Sequence, residues 1–375
     1  MLKEYPFYFK CTVILLGLIL FVYVITNLRV ILVPLSFALL IAILLNPLVC
    51  RLQGWKVPRV LAITIALLLA FLFITGVGYF LSAQISGFAD QFPLMKKKVI
   101  QLIEELQRDI SRRFNIDIEK QQQAIEEAGE KIKPLIGSTA GALLSSLAAI
   151  ILLPVYSFLF LYYKDLLLNF VYEIFSEKNF KEVGVVLKQT KGAIQSYMYG
   201  LVLETTIVAV LNSLALLILG VKYWILLGIL GAILNIIPYI GGLMSVALPI
   251  IIATVTKDGF HTQLLVIICY MVIQFVDNHF LVPYIVSSKV KINALISIVF
   301  VLLGNAAWGV SGMFLCIPFA GILKIIFDRI EELKPWGRLL GDEMPTRPRG
   351  QWRRLRKPRT ALKLVKQEEK KASSS

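Results

Sequence analysis

Two carboxylates stand where carboxylates are costly. Glu204 lies in Gly200-Leu201-Val202-Leu203-Glu204-Thr205-Thr206 and Asp277 in Gln274-Phe275-Val276-Asp277-Asn278-His279, each inside a long apolar run. Ionisable side chains in such runs are expensive to hold in lipid and by default mark substrate or ion pathways. A buried carboxylate can take up a proton or a cation and exchange one for the other, which is the chemistry ion-coupled transport requires. Gln274 and Asp277 are three residues apart, so on a helix they share a face and can converge on one bound cation or proton. Hydroxyl and amide contacts to a small polar solute would come from Asn235, Asn278 and Gln274. The candidate pathway residues are therefore Asp277, Glu204, Asn235, Gln274 and Asn278. Each acid could equally be held by a polar neighbour such as Asn212, Asn235 or Asn278 for packing alone. His279 could titrate near neutrality, or cap a span end and face headgroups.

The elements that must position these groups are membrane helices. Of the 375 residues, 57% are hydrophobic before the 24 glycines are counted and 17% are charged, and the mean hydropathy is +0.75. Soluble domains sit at roughly 45–50% apolar with glycine included, so a soluble fold could not cover this surface. Cys11, Cys50, Cys269 and Cys316 each lie in an apolar run and read as small buried hydrophobes. Neither a metal nor a cofactor is expected. In lipid every backbone polar group must be paired within the segment, which decides helix over strand. The runs are Cys11–Leu28, Val30–Val49, Val60–Leu81, Gly137–Tyr163, Tyr199–Leu219, Tyr223–Val255, Gln263–Val282 and Asn293–Phe327. Tyr223–Val255 and Asn293–Phe327 are too long for one crossing. They are interrupted at Asn235–Gly242 and Gly304–Gly312, where Pro238, Gly241, Gly242, Gly309 and Gly312 are the candidate helix-breaking and gating residues. The second half thus reads as one helix plus one broken segment, twice. Paired breaks of this kind point to the binding site of a secondary transporter.

Charge sets the expected orientation. The loop Arg51–Arg59 carries Arg51, Lys56 and Arg59 without an acid, and Lys334 to Ser375 has a surplus of +9. The positive-inside rule places both, and with them both termini, in the cytoplasm. The tail Trp352–Arg359 is expected to hold anionic lipid headgroups rather than nucleic acid. The polar insertion Ser82–Pro134, with nine basic and nine acidic residues, shows helical periodicity: Val99, Ile103, Leu106, Ile110 and Phe114, then Ile118, Gln121, Ile125, Ala128 and Ile132 on a heptad. It is expected on the extracytoplasmic side, as an oligomerisation or gating module or as a self-packed hairpin. Lys164–Lys191 reads as an interfacial helical linker.

Catalytic signatures are thin. Gly309-Val310-Ser311-Gly312 matches the GxSG of rhomboid-type proteases, whose histidine lies downstream, whereas His261 and His279 both lie upstream. The sequence contains no HExxH, GxGD or GxxxxGK[ST] pattern, so hydrolysis and ATP-driven pumping are not expected.

Pro34-Leu35-Ser36-Phe37-Ala38-Leu39-Leu40 with Leu45-Asn46-Pro47-Leu48-Val49, Ile237-Pro238-Tyr239-Ile240-Gly241-Gly242 with Leu248-Pro249, the set Gln274, Asp277, Asn278, Leu281 and Pro283, and the closing Gly309, Gly312, Pro318 and Lys324 occur in order. Together they resemble the autoinducer-2 exporter-like (PerM-like permease) family, over Val30 to Phe327. Gly242 stands where that family often has Pro, and Asn293-Ala294 where it usually has His-Pro. The resemblance implies a multipass, oligomeric inner-membrane protein that exports autoinducer-2 or exchanges sodium for protons.

The expected fold is all-α and polytopic, with about eight nominal membrane segments, two of them broken and re-entrant hairpin-like, plus the helical insertion. Residues 1–81 form N-terminal transmembrane helices, 82–135 the amphipathic insertion, 136–163 a further transmembrane helix and 164–198 the linker. Residues 199–327 form the transport core and 328–375 a basic cytoplasmic tail. The expected function is secondary transport, without ATP, that exports a small autoinducer-2-like polar solute. The alternatives are sodium/proton antiport and, from another class, a non-transporting membrane assembly or scaffold protein. Expected partners are the lipid bilayer, the solute or a cation or proton, and further copies of the chain.

Overall fold

The computed structural model describes residues 6–89, 152–175, 177–237, 241–257, 259–286 and 292–342, with isolated positions between 97 and 127. Pro238, Lys289, Lys291, the insertion's apolar positions (Ile118, Ile125 and Ile132 among them) and the basic tail beyond Asp342 lie outside the described residues. Met1–Gly341 is one compact unit, and the elements below belong to it. They are α1 (Phe7–Asn27), α2 (Arg29–Gly54), α3 (Arg59–Ala89), α4 (Leu152–Tyr162), α5 (Lys164–Ile174), α6 (Phe180–Ile218), α7 (Trp224–Asn235), α8 (Gly241–Thr256), α9 (His261–Val276), α10 (Ala294–Arg329) and α11 (Lys334–Leu340). Strands are absent among the described residues, and Ile292 and Gly341 form one isolated bridge.

The protein is an all-α polytopic membrane protein. Arg29–Gly54, Arg59–Ile85, Phe180–Ile218, His261–Ile285 and Ala294–Arg329 are long and apolar enough to cross a bilayer. Apolar side chains cover their outer surfaces, with Phe73 68% and Met271 67% exposed. In water so much contiguous apolar surface would drive association, whereas in lipid it is solvated.

Helix boundaries differ from the hydropathy runs for local reasons. Between α1 and α2 the chain bends at Leu28 (φ −84°, ψ 13°) instead of forming a loop, and Leu28 N–H still donates to Val24 and Leu32 N–H to Leu28. Pro34 and Pro47 sit inside α2 without ending it. The helix α6 starts at Phe180, so the polar stretch and the following apolar run are one 39-residue rod, about 58 Å long. It stops in a Schellman turn: Gly220 takes φ +61°, its N–H donates to Leu217, and Val221 N–H donates to Leu216.

The two interrupted runs are both hairpins. After α7 the chain reverses and α8 returns beside it. In this first hairpin a Cβ at Gly231 would lie 3.4 Å from Ser245 Cβ, and one at Gly241 would collide with the Leu234 carbonyl. Within α10 the backbone turns over at Gly309 (φ 62°, ψ −143°), a conformation essentially reserved for glycine. A Cβ at Gly312 would collide with the Gly304 carbonyl, and one at Gly304 would lie 3.1 Å from Cys316 Cβ. Eight residues of straight helix span about 12 Å. The segments 294–308 and 310–329 are therefore antiparallel arms of a second hairpin.

The hairpins enter from opposite ends of α6. Leu216 near its C-terminus packs with Val221, Leu227, Ile252, Ala253 and Val266 at the base of the first hairpin and the start of α9. Near the other end Ile194 packs with Leu315 and Leu40, and Glu182 pairs with Arg329 at 3.6 Å. The tip of the first hairpin meets the arms of the second, where Ile237 packs against Val301, Met313 and Cys316. Small residues permit the closeness: Gly228 and Gly231 of α7 press on Ser213 and Asn212 of α6. Asn293 anchors the base of the second hairpin. Its Oδ1 accepts from Ile296 N–H at 2.9 Å as an N-cap, and its Nδ2 donates to Leu339 at 2.6 Å and Gly341 at 3.1 Å.

A separate core joins α2, α3 and α4 through Ala42, Val49, Ala62, Ile63, Ala66 and Leu161. Arg59 closes it, donating to Asp165 at 2.6 Å and to the Leu161 carbonyl at 3.1 Å beneath the Tyr162 ring. The pair is largely exposed, so Arg59→Ala is expected to destabilise this bundle by only about 1 kcal/mol. Thermal denaturation in detergent checks it.

Candidate functional site

Glu204 faces inward because it lies on the buried stripe of α6 formed by Ala193, Tyr197, Gly200, Glu204, Val208, Asn212 and Leu216. Its side of the helix meets the end of α7 and the point where α9 changes winding. There the helix widens into a π-helix, Asp277–Val286, with Pro283 inside it. Such segments are rare and recur at functional sites. Asp277 is its first residue.

The three elements bring both acids to one amide. Asn235, the last residue of α7, donates one hydrogen to Glu204 Oε1 at 3.2 Å and the other to Asp277 Oδ2 at 2.8 Å. The two carboxyl groups are thus neighbours joined through this one amide. Glu204 is 3% exposed and Asp277 2%. Thr205 donates to Glu204 Oε2 at 3.4 Å, and Gln274 Nε2 reaches Asp277 Oδ2 at 3.4 Å. Asp277 Oδ1 has no partner among the described residues. The result is a buried cluster of carboxylate, amide and hydroxyl groups at the tip of the first hairpin.

Four of the five candidate pathway residues thus converge: Asp277, Glu204, Asn235 and Gln274. Asn278 is exposed and turns away from the acids, its Oδ1 accepting from Gln274 at 3.5 Å. His279 is exposed and bonds its own helix through the Phe275 carbonyl at 3.0 Å. Among the breaking residues, Gly241 forms the turn against Leu234 and Asn235, and Gly242 lies under the Gln274 amide, where a Cβ would come within 2.5 Å of its Oε1. Gly309 and Gly312 close the second hairpin as described. An apolar cleft of 360 Å³ between α3 and α4, lined by Leu67, Leu68, Phe71, Pro154 and Phe158, lies away from the acids.

Sequence reasoning missed the rest of the polar lining. Thr205, Tyr197, Asn212, Ser213 and Ser245 were visible as polar residues in apolar runs, but only Asn212 stood out, as a packing partner. The available signal was periodic: 197, 200, 204, 208 and 212 repeat at three and four residues and give one face of a helix.

Comparison with known proteins agrees with this architecture. Residues 12–332 match the family model described as AI-2E family transporter. The chain is 26% identical over 302 residues to AI-2 transport protein TqsA of Escherichia coli K12, covering 80% of this chain and 86% of that protein. It is 26% identical over 317 residues to YueF of Bacillus subtilis 168, a transport protein by name, covering 80% and 84%. PerM of Escherichia coli K12, a permease by name, is 28% identical over 196 residues, covering 52% and 55%. A matched segment that runs from α1 into the turn after α10, and so includes both hairpins and both acids, is what identifies this protein: the chain belongs to the AI-2E family of membrane transporters.

Proposed function

We propose that this chain is a secondary transporter of the bacterial inner membrane that exports a small polar solute, with proton uptake and release at Glu204 and Asp277 driving the export. The observation that carries the reading is the single Asn235 amide shared by two buried carboxylates. It ties the charge state of the pair to the tip of a re-entrant hairpin. When a proton or cation enters or leaves the pair, the hydrogen bonds holding that tip change strength, and the hairpin's position follows. The groups around it, Asn235, Gln274 and Thr205, are amides and a hydroxyl that suit a polyol-like solute. The name of TqsA, an AI-2 transport protein, supports a solute of that class. The basic loop and tail support a topology with both termini in the cytoplasm.

One observation favours sodium/proton antiport as a second reading. The donor set is all oxygen apart from the amide nitrogens, and Asp277 Oδ1 stands without a partner among the described residues. Hard cations prefer such ligands.

Proteoliposomes carrying an inward proton gradient separate the two. The proposal expects export of a labelled small polyol, with proton entry that needs no sodium. Proton movement that requires sodium and no solute establishes antiport instead, and absence of both fluxes overturns transport through this site.

A further inference from the structure

The buried polar groups do not end at the acid pair. Gln263, Tyr270 and Asp277 follow one another at intervals of seven residues along α9 and its π extension, two turns apart on one face. All three are buried, at 7%, 6% and 2% exposure. Each has an oxygen without a partner among the described residues: Gln263 Oε1, Tyr270 OH and Asp277 Oδ1. Across from them on α6, Asn212 is 2% exposed and its Oδ1 is likewise unpartnered. The depths agree. Helix rise puts Asn212 about 12 Å from Glu204 and Tyr270 about 10 Å from Asp277, both toward the base of the first hairpin. Tyr270 packs against Leu216, Leu227 and Ile252 there, and Ser245 sits beside Asn212 across Gly231. Gln263 lies in the first turn of α9, next to the loop that joins the first hairpin to it.

A buried oxygen without a partner is costly, and nearly all such groups in proteins bind something, most often water. One is an anomaly. Four spaced along a single line from a carboxylate pair to one face of the membrane domain need a common partner. The flanking residues Val266, Leu216, Val221 and Ile252 are apolar, so a polar partner is confined to the line of these oxygens. In the opposite direction Ile194, Leu315 and Leu40 fill the way beyond Tyr197, and the one further unpartnered oxygen among the described residues, Thr190 Oγ1, stands alone about 21 Å from Glu204 along α6.

We infer that Asn212, Tyr270 and Gln263 line a single file of water connecting the Glu204–Asp277 pair to the face of the membrane from which the first hairpin enters. The file carries protons between that face and the pair. Among the described residues the titratable groups near it are Glu204, Asp277 and Tyr270 along its length, Tyr197 and Cys316 beyond Glu204, and Lys222, Tyr223, Lys257 and His261 in the turns at the base of the first hairpin. This deepens the proposed function, since it supplies the route by which protons reach the exchange site.

The file can be tested without measuring transport. Single cysteines are placed at Gln263 and Tyr270, and at the lipid-facing neighbours Leu264 and Met271, in protein whose four native cysteines are replaced. A cysteine at Gly259, in the joining loop, marks the face. Silver ion, small enough to follow water, is added to one side of sealed vesicles, and surviving thiols are counted with a maleimide. Because the thiolate is the reacting species, the cysteines at 263 and 270 should be blocked about tenfold faster than those at 264 and 271, and only from the side that blocks the cysteine at 259. Equal rates at all four positions, or equal blocking from both sides, overturn the file. Tyr270→Phe supplies a second readout that does not require a cysteine variant to fold. Loss of a file hydroxyl should lower proton flux several-fold with thermal stability unchanged or raised, whereas unchanged flux with raised stability shows Tyr270 to be a mere orphan. Silver blocking with the expected pattern in a protein that carries no proton flux keeps the file and removes the exchange reading; the converse result removes the file alone.

Discussion

Asp277→Asn is expected to abolish gradient-driven flux while the protein still assembles. The argument starts from geometry. Asn235 spends its two amide hydrogens on the two carboxylates, so Asp277 is joined to Glu204 through this one amide. An asparagine at 277 has the same shape. It can present its oxygen to Asn235, so the bridging hydrogen bond has a successor. What it cannot do is gain or lose a proton. A function that depends on exchange stops, and a function that depends on packing continues. The measurement is flux in proteoliposomes, with size-exclusion elution and melting temperature confirming assembly. Wild-type flux in a properly assembled variant would show that the acid is structural. Glu204→Gln gives the companion result: if either amide alone abolishes flux, the pair acts as one exchange site.

How far the sequence carried this picture differs from residue to residue. The two acids were legible because charge in an apolar run is rare. The hairpins were legible as runs too long for one crossing, with glycine and proline at their centres, but hydropathy does not distinguish a hairpin from a kinked crossing. That distinction rests on contacts between residues far apart in sequence, such as Gly304 with Gly312 and Ile237 with Val301. Asn278 shows the limit of spacing arguments. Next to Asp277 it shares the motif, yet adjacent residues on a helix point about 100° apart, and it is exposed while Asp277 is buried. Asn293 shows the reverse. It appeared only as a departure from the resembled family's pattern, and its role as a cap tied to Leu339 and Gly341 needed the end of the chain's compact unit to be folded against it. The length of α6 was hidden for a physical reason too: lysines at 181, 188 and 191 interrupt hydropathy without interrupting helical hydrogen bonding.

Gly312→Val should prevent the second hairpin from closing and lower stability by several kcal/mol, beyond the ~1–3 kcal/mol typical of overpacking a core. Ordinary overpacking is relieved by rotating a side chain. Here the obstacle is main chain: even a Cβ at 312 would lie 2.6 Å from the Gly304 carbonyl carbon and 3.0 Å from Trp308 Cβ. The arms can escape only by separating, and separation exposes Val301, Met313 and Cys316, against which Ile237 packs. Ile237 is two residues from Asn235. Splaying the second hairpin therefore removes the support under the amide that bridges the two acids, so stability and flux should fail together. Gly309→Ala is expected to be milder. Nothing lies within 4 Å of a Cβ there, and the penalty is the backbone conformation alone, about 1–3 kcal/mol. Gly76→Ala, in a part of α3 where a Cβ also meets nothing, is the neutral control. Fluorescence-detected size exclusion over a temperature series ranks the three, and an order other than 312 worst, 309 intermediate and 76 neutral would mean that the arms are not held together by glycine contact.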